Sequence, residues 1–154
     1  MLRLNTILAI SLLCLMGFAC SDKVAEHYKT YDEAISAGAA TRGWLPSFVP
    51  RTALEIDLIH DLDTNQQWFH FKADMESLSL MTKDMKAISL SDVKRKKIIK
   101  PKGIKWPVEL DDVMLVTPRA TFRVFHTCPS TGCLCIAIDS SAGDVYGWPC
   151  QPDL

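Results

Sequence analysis

Gly43-Trp44-Leu45-Pro46-Ser47-Phe48-Val49-Pro50, followed by Ile59-His60-Asp61-Leu62-Asp63-Thr64-Asn65-Gln66-Gln67-Trp68-Phe69-His70-Phe71, is the stretch whose reading decides the fold. Proline fixes φ, lacks an N–H and pushes the residue before it toward extended geometry. The first piece therefore reads as an ordered, extended crossing whose Trp44, Leu45, Phe48 and Val49 fill a core. The second reads as strand, turn and strand. Ile56, Leu58 and His60 alternate with Asp57, Ile59 and Asp61, and Trp68 to Phe71 is aromatic-rich. Asp63-Thr64-Asn65 between them supplies the Asx side chains that bond their own backbone and reverse a chain.

Working outward, Thr30 and Glu33 are spaced as a capping box, which predicts a helix over 31–41 closed by Gly43. Met75, Leu78, Leu80, Met81 and Met85 have helical spacing behind Asp74 as N-cap, which predicts a second helix over 75–87. At the far end, strands are expected near 120–127, 133–139 and 144–149, joined by turns at Pro129–Gly132 and Ser140–Gly143. The expected class is α+β: a small antiparallel sheet with a C-terminal three-stranded meander and two short helices packed on it.

The 154 residues suit one domain, and a net charge of −1 argues against nucleic acid as the main partner. The start is different in kind. Arg3 precedes the apolar run Ile7–Met16, which ends at Gly17-Phe18-Ala19-Cys20-Ser21. That ending resembles a bacterial lipobox, with Gly17 where leucine is favoured, and implies lipidation of Cys20. Gly17-Phe18-Ala19 also fits a simple small-x-small cleavage site. The organisation expected is a signal peptide at 1–19, a polar tether at 20–29 and one globular domain at 30–154. Ser21 after the cysteine favours the outer over the inner membrane, with the domain facing the periplasm.

Cysteine parity points the same way. Removing Cys14 with the signal and lipidating Cys20 leaves Cys128, Cys133, Cys135 and Cys150. Two pairings are open: Cys128–Cys133 with Cys135–Cys150, or Cys128–Cys135 with Cys133–Cys150. The first is favoured because Cys128 and Cys133 flank a hairpin turn. A four-thiolate zinc site is the rival, but the spacing lacks the usual C-x2-C knuckles.

Lys94, Arg95, Lys96, Lys97, Lys100, Lys102 and Lys105 form a basic run. It reads as a solvated segment or as a contact to an anionic surface. Asp61-x-Asp63-x-Asn65 opens like a calcium loop, but Gln66 and Lys72 stand where that loop needs Gly and Glu. A metal or small-ligand site from His60, Asp61, Asp63 and His70 is kept as an alternative. No nucleophile elbow, phosphate loop or zincin helix occurs, so no catalytic residue and no cofactor is assigned.

The residues Gly43, Trp44, Leu45, Pro46, Pro50, His60, Asp61, Asp63, Thr64, Asn65 and Trp68 carry a resemblance to small uncharacterised bacterial lipoproteins with a YbbD-like head domain. Ile136–Asp139 and Gly143–Trp148 resemble that family's terminal hairpin. The resemblance covers about 43–72 and 120–149 and implies an envelope lipoprotein with a small α+β domain, with no activity assigned to the family. The function expected of the whole chain is non-catalytic, the binding of another envelope component.

Overall fold

A computed structural model describes residues 23–89, 122–129 and 132–150. The signal segment, Cys20 and the basic run Lys94–Lys105 lie outside the described residues.

The elements follow in the order β1 (Lys23–Thr30), α1 (Tyr31–Ser36), β2 (Leu54–Asp61), β3 (Gln66–Lys72), α2 (Met75–Met81), β4 (Lys86–Ile88), β5 (Phe122–Thr127), β6 (Leu134–Asp139) and β7 (Asp144–Pro149). All seven strands join in one sheet ordered β1-β2-β3-β7-β6-β5-β4, antiparallel at every pairing. The class is α+β, with sheet dominating. The expected small sheet is instead a continuous one, because β3 pairs with β7 through Phe69↔Gly147 and joins the two strand groups.

Alternation gives the sheet two faces. One carries Ile56, Leu58, Phe69, Phe71, Ile136, Ile138 and Val145, and the helices close over it with Ala34 and Leu78. The other carries a smaller apolar cluster built on Ile59, Trp68, Cys135, Ala137 and Trp148.

The cross-over from α1 to β2 is not extended. Backbone bonds Val49 N–H to Pro46 O and Ala53 N–H to Pro50 O fold it into two turns. Each proline stands at the first position of its turn, where its carbonyl accepts the closing bond. Leu45 and Val49 still reach the core, and Phe48 packs on Phe69 with ring centroids 5.8 Å apart.

The tether expected at 20–29 is largely strand, since Lys23–Thr30 pairs with β2 along its length. Its Lys23, Glu26, His27 and Lys29 hid the pattern, and such charges are usual on an edge strand, where they discourage pairing with other chains. Glu33 N–H donates to Thr30 Oγ1, while the Glu33 carboxylate takes the N–H of Lys29. The helix behind this cap ends at Ser36, short of residue 41.

The second helix is also shorter than expected. Thr82 Oγ1 donates back to the carbonyl of Leu78, and the chain turns through Lys83–Met85 into β4. Met85 reaches the core from that turn. Among the described residues no helix is long and apolar enough to cross a membrane.

Candidate functional site

Four groups form a row across the second sheet face: His27 on β1, Asp57 on β2, His70 on β3 and Asp144 on β7. The registers His27↔Asp57, Asp57↔His70 and the adjacent β3–β7 pairing put them on neighbouring strands, pointing the same way. His27 Nδ1 lies 2.8 Å from Asp57 Oδ1, and His70 Nδ1 lies 3.1 Å from Asp57 Oδ2. His70 Nε2 lies 2.8 Å from Asp144 Oδ1. Lys72 Nζ stands 3.7 Å from the same Asp144 oxygen, and Glu55 stands 3.8 Å from His27 Nε2. Exposure grades along the row, from 14% for the His70 side chain to 51% for His27.

The backbone sets this up. The β2 register shifts between Leu54 and Asp57, and Glu55 takes φ 49° there. A bulge of this kind re-aims side chains locally and adds twist. It brings Glu55 toward His27 at the sheet edge.

Each ring nitrogen of His70 thus faces a carboxylate oxygen within hydrogen-bond distance. A histidine acting as general base needs one nitrogen free for substrate. Both of those in His70 are occupied. His70 also stacks on Tyr146, with centroids 4.8 Å apart. The accessible end of the row is at His27, Glu55 and Asp57.

The sequence-derived candidates fall in different places. His60 points to the opposite face from His70, buried and stacked on Trp44 at 5.1 Å. Burial pushes its imidazole below the ordinary value, and its Nδ1 has no partner among the described residues. Asp61 takes the N–H of Thr64 at 3.1 Å and pairs with Lys23 at 3.5 Å, which hold its carboxyl below the usual range. Asn65 closes the turn at φ 53° and meets His60 Nε2 at 3.4 Å. The four residues of the metal alternative are therefore not gathered: His60 and His70 lie on opposite faces, and Asp61 is engaged in the turn.

Gly43 takes φ 75°, and Arg42 sits 4.4 Å over the Trp44 ring while its guanidinium pairs with Glu26. Leu45 and Trp68 are core, and Pro46 and Pro50 set the two turns.

Cys128 and Cys133 form a disulfide, and Cys150 is a free thiol. The expected Cys135–Cys150 bridge is absent for a reason of register. Cys135 pairs with Trp148, and the ladder continues past Leu134↔Pro149 so that Cys150 N–H donates to Cys133 O. Cys150 thus stands opposite Cys133. The β6–β7 turn pairs Asp139 with Asp144, and the unbroken register from there sets Cys150 two positions beyond the partner of Cys135. His126 Nε2 lies 3.5 Å from Cys128 Sγ. Beside these residues is a cleft of about 220 Å³, lined by Thr64, Asn65, Gln66 and Gln67 and by Gly132, Cys133, Leu134, Pro149 and Cys150.

Residues 22–72 match the family model of the YbbD head domain. The chain carries a YbbD-like head domain. No curated protein matches the chain, and no solved structure matches it. The YbbD-like head comprises β1, α1, β2 and β3, so it supplies three members of the charged row. Asp144 comes from β7, outside the matched residues. His27, Asp57 and Asp144 were not singled out from sequence. A signal existed for Asp57: once the hairpin turns at Asp61–Gln66, pairing runs back to place it opposite His70.

Proposed function

We propose that this protein is a non-catalytic binding domain of the bacterial cell envelope, anchored by lipid at Cys20 and facing the periplasm. Its contact surface is the β1–β2 edge of the YbbD-like head, presenting His27, Glu55 and Asp57, and its partner is another envelope component. The observation that carries this reading is the row from His27 to Asp144, in which imidazoles and carboxylates satisfy one another. Such a row offers a polar, pre-oriented surface at its exposed end. The signal anatomy and the head-domain match support the compartment. The run Lys94–Lys105 is a further contact to anionic lipid or lipopolysaccharide phosphates.

Crosslinking in intact cells followed by affinity capture tests the reading. Wild type is expected to bring down a discrete adduct that His27→Ala with Glu55→Ala removes while the melting temperature stays put. Recovery of free monomer alone under all growth conditions overturns it. Intact mass of the membrane-extracted protein tests the anchor, since a lipid adduct on Cys20 is required.

A further inference from the structure

We propose that Cys133 is the reacting centre of a thiol–disulfide exchange site, with Cys150 as resolving thiol and a low-molecular-weight aliphatic thiol as the ligand of the adjoining cleft. Three sulfur-bearing residues stand in a row across the ends of β5, β6 and β7. The β5–β6 register continues from Thr127↔Leu134 to place Cys128 beside Cys133, where the disulfide forms. The β6–β7 register continues from Leu134↔Pro149 to place Cys150 on the other side, with its N–H on Cys133 O at 3.1 Å. Cys133 is therefore the middle member, with its leaving partner on one flank and a free thiol on the other.

Exchange at sulfur proceeds by thiolate attack, with the leaving sulfur departing from the far side. The order Cys150, Cys133, Cys128 across the strands matches that requirement. Access agrees with it. Cys133 and Cys150 both line the cleft of about 220 Å³, and Cys128 does not. Thr64, Asn65, Gln66 and Gln67 also line the cleft, and all four are neutral hydrogen-bonding residues, suited to the polar end of a small thiol such as an amino acid. A thiol entering the cleft meets Cys133 and Cys150 and not Cys128.

The steps balance without an oxidant. The small thiolate attacks Cys133 Sγ, the Cys128–Cys133 bond breaks, and its electron pair leaves on Cys128 Sγ. Cys128 is solvent-exposed and takes a proton from water. With the bond to Cys128 broken, Cys133 Sγ turns about its Cα–Cβ bond, and the Cys150 thiolate attacks it from the side opposite the small thiol, forms Cys133–Cys150 and expels the small thiolate. The sum moves one disulfide from Cys128 to Cys150 and regenerates the small thiol. Cys135 is fully buried in the second-face cluster and takes no part.

The test uses the mature chain with its disulfide intact, incubated with millimolar L-cysteine near pH 8, acid-quenched, alkylated and digested with pepsin. Peptides joined through Cys133 and Cys150, with Cys128 alkylated, are expected to appear in proportion to the L-cysteine added. Total disulfide stays constant. In Cys150→Ser the cysteinylated form of Cys133 is expected to accumulate at least tenfold above wild type, while Cys135→Ala behaves as wild type. Retention of Cys128–Cys133 alone in the wild-type chain overturns the proposal, and so does cysteinylation on Cys128. The wild-type map decides the matter even if a variant fails to fold.

Discussion

The Phe69 ring fills the space that a Cβ on Gly147 would need: a methyl there would stand 1.9 Å from Phe69 Cζ. The two residues face each other across the β3–β7 pairing that joins the YbbD-like head to the C-terminal strands. Phe69 is buried, so its ring has no open direction to retreat into. Gly147→Ala is therefore expected to cost about 3 kcal/mol or more, at or beyond the upper end for overpacking a core. Urea unfolding checks it. Gly147→Ala combined with Phe69→Leu should recover part of the loss, because the smaller side chain vacates the contact.

His60 makes folding pH-dependent in a direction its burial fixes. In the fold its imidazole titrates below the ordinary value, so the unfolded chain takes up the proton first as pH falls. Its contribution is whole above about pH 6.5, the unfolded value, and is lost as pH drops through the interval below it. His60→Phe keeps a ring for Trp44 to stack on and removes the titration. The difference between variant and wild type should be flat from pH 8 to 7 and shift in the variant's favour toward pH 5. Parallel stability curves across that range would count against burial as the cause.

Much of this was legible in the chain. The Asp63–Asn65 turn, the Asp74 cap and the three C-terminal strands follow from local chemistry, and the structure has them. The β1 strand was not legible, because Lys23, Glu26, His27 and Lys29 put charge on both faces of an edge that needs no core alternation. The β3–β7 junction was not legible either: strand order across a sheet is set by long-range packing that no local pattern records. With it went Asp144, which reaches the row only through that junction. The disulfide partner of Cys133 turned on hairpin spacing, and the place of Cys150 was legible in the same way: the register that pairs Asp139 with Asp144 runs unbroken to Leu134↔Pro149 and puts Cys150 opposite Cys133, two positions from Cys135.

The cap at α2 gives a second pH signature, at the acid end. Asp74 Oδ1 accepts the N–H of Ser77 at 2.8 Å and Oδ2 accepts the Ser77 hydroxyl, which brings its carboxyl down to about 2. A depressed carboxylate stabilises fully above its unfolded value of about 3.9 and loses that effect as pH falls to the folded one. Asp74→Ala should lower the urea midpoint at pH 7, with the gap narrowing below pH 4 and closing near pH 2. A gap that persists undiminished at pH 2 would mean that Asp74 acts through packing and not through its charge.

The charged row predicts a salt-dependent penalty. His70 separates Asp57 from Asp144, contacting them at 3.1 and 2.8 Å, and the neighbouring cation Lys72 is 3.7 Å from Asp144. His70→Ala leaves two carboxylates facing a vacated position with their shared partner gone. Losing that partner is expected to cost about 1–3 kcal/mol, toward the lower figure because Asp57 is partly in solvent and screened. Part of the cost is like-charge repulsion, which salt attenuates over a Debye length of about 8 Å at 0.15 M and less above it. Raising sodium chloride from 0.02 to 0.5 M should therefore narrow the difference between His70→Ala and wild type. His70→Gln, which still donates from its amide, should lose less than His70→Ala. Equal losses in the two variants, unchanged by salt, would make the row a matter of ring packing on Tyr146 and remove the electrostatic argument for its exposed end as a contact surface.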